Sequence, residues 1–153
     1  MSQQLNDFSL QYPNMRIGRF SIKAGEIIPL HLHLRQYGFV YIVKGKCRIK
    51  NFTILSANEN QYTLQLTDQR TVHEGEHSMI TPTVNAHLIT AIEDTTFLDS
   101  FYPGNKEGML SQYCSIIDEN TEQTQITAKI IPTEQANLPM SLRKAITGPD
   151  IIE

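Results

Sequence analysis

His31 and His33 stand one residue apart in the stretch GEIIPLHLHLRQYGFVYIVKG, which runs from Gly25 to Gly45. On a β-strand, residues i and i+2 share a face roughly 7 Å apart at Cα, so both imidazoles point the same way. That geometry suits two ligands of one metal ion. Leu30, Leu32 and Leu34 alternate with the histidines and face the other side. Such a stripe needs a cover, from the chain's own tail or from a second subunit, and a homodimer is expected.

The elements around this stretch read as short strands. Residues 1–15 are polar and end in Tyr12-Pro13-Asn14, a turn or extended start that reads as an N-terminal extension. From Arg16 two strands are expected with a turn at Lys23-Ala24-Gly25, followed by Phe39–Val43, a hairpin turn at Lys44-Gly45-Lys46 and a partner strand from Cys47 to Ile54. Turn formers fill 55–61, and further strand-like runs cover 63–66, 78–81, 87–92 and 96–101. Beyond Pro103-Gly104, strands over 108–117 and 125–131 are expected, then a short helix at 142–146 before Gly148-Pro149. No segment before Tyr102 holds a helical period, so the fold class is all-β, a sandwich or barrel.

With 153 residues the chain has the length of one domain. A hydrophobic fraction of 40% and a charged fraction of 19% are ordinary for a globular protein, and a net charge of -3 shows no basic excess for a nucleic acid. The first ten residues lack the basic and apolar regions of a signal peptide, and no run approaches the ~20 apolar residues of a spanning helix. A cytoplasmic protein with no nucleic-acid or membrane partner is expected. Cys47 and Cys114 show no CxxC spacing and read as free buried thiols. His73 and His77, four residues apart around a glycine, read as solvated turn residues.

Two spaced motifs resemble those of the cupin superfamily. Gly25, five residues, His31-Leu32-His33, four residues, Gly38, six residues and Gly45 fit every interval of the first cupin motif, with Gly38 where the family has glutamate. The second motif is similar to Gly75–His87, with one extra residue before Pro82, Val84 at a glycine position and Ala91 at the asparagine. The resemblance spans residues 16 to 102.

The resemblance implies a jelly-roll β-barrel over 16–118 with a less regular C-terminal tail, 119–153, packed on the barrel or on a partner subunit. It implies that His31, His33 and His87 hold one divalent transition metal, iron(II) first, with nickel, manganese, zinc and copper as alternatives; imidazole ligands suit all of these. Gln36 is a further ligand candidate, beside Tyr37, although a turn or packing role fits each. Cupins without the glutamate include thiol and diketone dioxygenases, whose substrate arginine and catalytic tyrosine find candidates here in Arg35, Arg48, Tyr41 and Tyr102. The expected function is therefore a metal-dependent dioxygenase acting on a small organic substrate. A cupin-type isomerase, epimerase or lyase on a sugar or carboxylate, and a non-catalytic ligand-binding cupin, are the alternatives.

Overall fold

The computed structural model describes residues 16–102 and 111–142. Ten strands follow in order: β1 Arg16–Ile22, β2 Ile27–Leu32, β3 Tyr37–Lys44, β4 Lys46–Asn58, β5 Gln61–His73, β6 His77–Ile80, β7 Ala86–Ala91, β8 Thr95–Tyr102, β9 Gln112–Asn120 and β10 Gln125–Ile130. A 3-10 turn, Thr133–Gln135, follows β10. Among the described residues no helix is long and apolar enough to cross a membrane.

The strands form a four-stranded sheet in the order β1-β8-β3-β6 and a closed six-stranded barrel in the order β10-β5-β4-β7-β2-β9. This all-β jelly roll is the expected fold class. Most of the expected strands appear, but β4 and β5 are each 13 residues long and pair as one extended hairpin. Its turn is confined to Glu59 and Asn60 rather than spread over 55–61, with Glu59 at φ 55°. The polar residues read as a turn are strand residues at an exposed end, where alternation carries no burial signal. At the β3–β4 turn Gly45 has φ 90°, and a Cβ there would run into Asp94 O. Only glycine fits that position.

Two apolar cores share the strands of the barrel wall. Ile22, Val40, Ile42 and Phe97 from the four-stranded sheet pack against Ile28, Cys47, Ile49, Ile89 and Tyr113 from the barrel, so this core lies between the two sheets. Leu30, Leu32, Phe52, Leu64, Cys114, Ile126 and Ala128 form the second, and all come from barrel strands. The pairing of β2 with β7 shifts between Ile28 and His31, where Pro29 falls. Proline has no N–H to give to a ladder, which places it at such an irregularity. One extra residue inverts the alternation: Ile28 faces the inter-sheet core, Leu30 and Leu32 face the second core, and His31 faces the inter-sheet side again.

The leucine stripe therefore has its cover within the chain. Leu30 and Leu32 are fully buried and Leu34 packs against the same cluster, beneath β9, β10 and the β4–β5 hairpin. A second subunit is not needed to hide it. Because β9 runs to Asn120 and β10 pairs with both β5 and β9, the barrel strands continue past the boundary expected at 118. The irregular segment begins after Ile130 and sends Ala136, Leu138 and Leu142 into the inter-sheet core. Residues 140–142 are helical, so the helix expected at 142–146 has its first residue in place and the rest lies outside the described residues.

Leu32→Ala is expected to cost about 2–5 kcal/mol in urea unfolding. Its midpoint should not depend on protein concentration; a concentration-dependent midpoint would show the stripe shared between chains.

Candidate metal centre

β2 and β7 run antiparallel with His31 opposite His87, and directly paired residues project from the same face of a sheet. His33 lies just past the end of β2, where its backbone N–H donates to Asn85 O at 2.8 Å. This bond keeps the third imidazole beside the other two. Ring centroids are 4.6 Å apart for His31 and His33, 4.3 Å for His31 and His87, and 5.0 Å for His33 and His87. All three residues are buried.

The nitrogens converge. His87 Nε2 is 2.7 Å from His31 Nε2 and 3.2 Å from His33 Nε2, and the three ligand atoms lie within 4.8 Å of one another. Nitrogens bound at about 2.1 Å to a common ion, with mutually perpendicular bonds, stand about 3 Å apart. The far side of the rings sets the tautomer. His31 Nδ1 lies 2.8 Å from Pro29 O, and a carbonyl only accepts, so Nδ1–H donates and Nε2 keeps its lone pair. His33 Nδ1 lies 3.3 Å from Ser111 Oγ, and the buried Gln36 side chain also hydrogen-bonds His33.

Burial holds these imidazoles neutral. Desolvation lowers His31 to about 4, partly opposed by the Pro29 hydrogen bond. Desolvation, and then the charge of neighbouring histidines, pushes His33 and His87 well below 6.5. Neutral imidazole is the form that binds a metal, so the site is ready for an ion without losing protons. The residues present fit one divalent metal with three nitrogen ligands.

At the place of the family's glutamate, a Cβ on Gly38 would meet Phe101 Cδ1 and Ser100 O, each at 2.6 Å. Phe101 stacks on the His33 ring at 4.2 Å. The space that a fourth ligand would need is thus taken by an aromatic wall and a strand backbone.

Asp99 and Tyr113 are among the interior residues that sequence alone does not point to. Asp99 lies on β8 with the parity of Phe97 and Phe101, which face the interior, and its Oδ1 is buried without a partner among the described residues. Burial pushes its carboxyl up to about 8, which keeps the proton on. Tyr113 on β9 pairs with His31, its ring 5.3 Å from the imidazole. Burial first, and then the charge of Asp99, pushes its phenol up to about 12. Strand parity was the available signal for Asp99. For Tyr113, the pairing with β2 is invisible in sequence.

The other candidates lie elsewhere. Tyr41 and Tyr102 are exposed on the outer face of the four-stranded sheet, Arg48 is exposed on β4, and Arg35 and Tyr37 are exposed at the β2–β3 turn. None of these joins the triad's face. His73 and His77 are exposed at the turn between β5 and β6. Cys47 and Cys114 are free and buried, and burial raises both thiols.

Barrel and triad together define a cupin with a three-histidine centre. The PCO_ADO family model matches residues 10–150, and the chain belongs to that family of cupin-fold cysteine/cysteamine dioxygenases. Similar solved structures include a Streptococcus pyogenes protein of unknown function, 19% identical over 61% of this chain and 68% of that one, with a TM-score of 0.45. A double-stranded β-helix protein from Klebsiella pneumoniae is 15% identical over 60% and 66%, with a TM-score of 0.46. An oxalate decarboxylase from Bacillus subtilis is 24% identical over 66% of this chain but 25% of its own length, with a TM-score of 0.49. No curated protein matches the chain significantly.

The pH dependence of the metal-free protein follows from the sign of each shift. The three imidazoles bind protons near 6.5 when unfolded but not when folded, so stability is present above 6.5 and falls as pH drops toward about 4. Asp99 acts oppositely: its contribution is full below 3.8 and is lost as pH rises toward about 8. Thermal midpoints should drop steeply below pH 6.5, and Asp99→Asn should remove the shallower slope between 6.5 and 8. Separately, Gly38→Ala should cost about 1–3 kcal/mol in denaturant unfolding, because both the ring and the backbone must shift.

Proposed function

We propose that the protein is a thiol dioxygenase that holds one iron(II) ion through His31, His33 and His87 and oxidises a small amine-bearing thiol to its sulfinic acid. The observation that supports this most is the all-imidazole ligand set, with Phe101 in place of a fourth, charged ligand. Three neutral donors leave the ion's double positive charge uncompensated, which favours an anionic sulfur ligand. Family membership points to the same chemistry.

The reaction is R–SH + O2 → R–SO2H. Two S–O bonds form, the O–O bond breaks, sulfur loses four electrons and dioxygen gains them, so no other reductant is required. When bound, the metal ion supplies a redox-active Lewis acid at which thiol and dioxygen meet. The chain's own residues supply orientation and exclusion of water. Pro29 O holds His31 in the ligating tautomer, and the rings of Phe101 and Tyr113 wall the triad. Asp99 places a carboxyl in the same interior; a nearby ammonium would draw it toward the ionised form and be held by it. A cationic tail on the thiol suits that arrangement.

Protein purified without a histidine tag and loaded with iron(II) should consume one dioxygen per cysteamine oxidised and yield the sulfinic acid by mass spectrometry. His87→Ala should retain less than about a tenth of the wild-type iron by elemental analysis while keeping the β circular-dichroism spectrum. Failure of the wild type to load any metal would refute the proposal. Thiol binding without dioxygen uptake would leave a ligand-binding cupin in its place.

A further inference from the structure

One buried acceptor beside the triad has no partner among the described residues, and its surroundings fix which way it faces. Asn51 on β4 pairs with His87 in the β4–β7 ladder, so the two side chains leave the sheet on the same face, about 5 Å apart at Cβ. Cys47 and Ile49, the preceding residues of that face, belong to the inter-sheet core. Asn51 is itself only 4% exposed.

Its amide nitrogen is engaged twice. Nδ2 donates to Ser78 Oγ at 3.0 Å and to Asp68 Oδ2 at 3.4 Å. Ser78 belongs to β6, so the first bond ties the barrel wall to the four-stranded sheet. The second fixes the orientation of the amide. A carboxylate only accepts, and turning the amide over would set Oδ1 against the charge of Asp68. Oδ1 is therefore held away from both partners, buried and without a donor among the described residues. An orphaned buried carbonyl costs stability that a hydrocarbon of the same shape would not, so its retention calls for a donor from outside the chain. Across the interior, Asp99 Oδ1 on β8 is likewise buried without a partner among the described residues.

We propose that Asn51 is a substrate-orienting residue: its Oδ1 accepts a hydrogen bond from an N–H group of a ligand held at the His31–His33–His87 centre, and so selects donor-bearing ligands over hydrocarbon ones. The amide cannot offer a donor to the ligand, because both of its hydrogens are committed to Ser78 and Asp68. An acceptor-only group in its place would be rejected. This inference rests on the triad holding a metal that takes a thiol.

The test uses the cobalt(II)-loaded full chain and the thiolate-to-cobalt absorption band, which reads binding without turnover. Cysteamine and 1-propanethiol are the probes, equal in length and differing in an ammonium against a methyl group. Wild type should bind cysteamine more tightly. Asn51→Leu should weaken cysteamine roughly tenfold, as expected for a lost hydrogen bond to a charged donor, and leave 1-propanethiol within about twofold. Cobalt content should be unchanged. Should the Asn51→Leu protein fold poorly with Ser78 left unpaired, Asn51→Leu combined with Ser78→Ala removes both partners of that bond and gives the same comparison. Asp68→Ala alone, which frees the amide to turn its oxygen toward the Ser78 hydroxyl, should show an intermediate loss.

A brace between sheets predicts the reverse pattern: a lower unfolding midpoint with the affinity ratio unchanged. That outcome, in a protein that binds both thiols, overturns the role of Asn51 and leaves the thiol reading standing. Wild-type protein that loads cobalt but binds neither thiol overturns both.

Discussion

The organisation of this protein turns on one irregularity in one strand. Without the shift at Pro29, strict alternation along β2 would send Ile28 and His31 to opposite sides of the sheet. With it, Ile28 seals the inter-sheet core while His31 and His33 enter the same space from further along the chain. The intervening leucines are released to the second core. The carbonyl of the same proline then takes the Nδ1 proton of His31 as a hydrogen bond. Strand geometry and imidazole chemistry are thus set by adjacent atoms, and neither can be altered without the other.

The triad is held by packing more than by polar partners. Phe101 stacks on His33, Tyr113 lies along His31, and the rings touch one another edge to face. Such contacts exclude water, and exclusion of water is the first cause of the lowered imidazole pKa values. The same dryness keeps the Asp99 carboxyl protonated. Bases held neutral beside an acid held neutral give an interior with little fixed charge, in which an arriving cation and its ligands dominate the field. Gly38 completes the design by leaving room for Phe101 and none for a carboxylate.

Resemblance to the cupin motifs pointed to His87, while local patterns in the sequence revealed the strands and the paired histidines. Those features live within a few residues of one another, where period two and turn chemistry speak directly. The closure of the barrel by β9 and β10, the length of the β4–β5 hairpin and the parity shift at Pro29 did not show, because each depends on which distant strand lies alongside. The same reason hid Tyr113 and Asn51. Each earns its place through a cross-strand partner, His31 for one and His87 for the other. Tyr41, Tyr102 and Arg48 match the residue types of the resembling family's tyrosine and arginine, but their strands present all three to solvent.

β2 and β7 form a party wall between the two cores, with scarcely a face left to water. A wall with no wet side cannot relax by exchanging its contacts for solvent, so the imidazoles it carries are ordered before any ion arrives. The entropy of assembling the ligands is then met during folding and not at the moment of capture. In that sense the second, metal-free core is the foundation of the first: its leucines make no contact with chemistry, yet they stiffen the strand on which the chemistry is mounted.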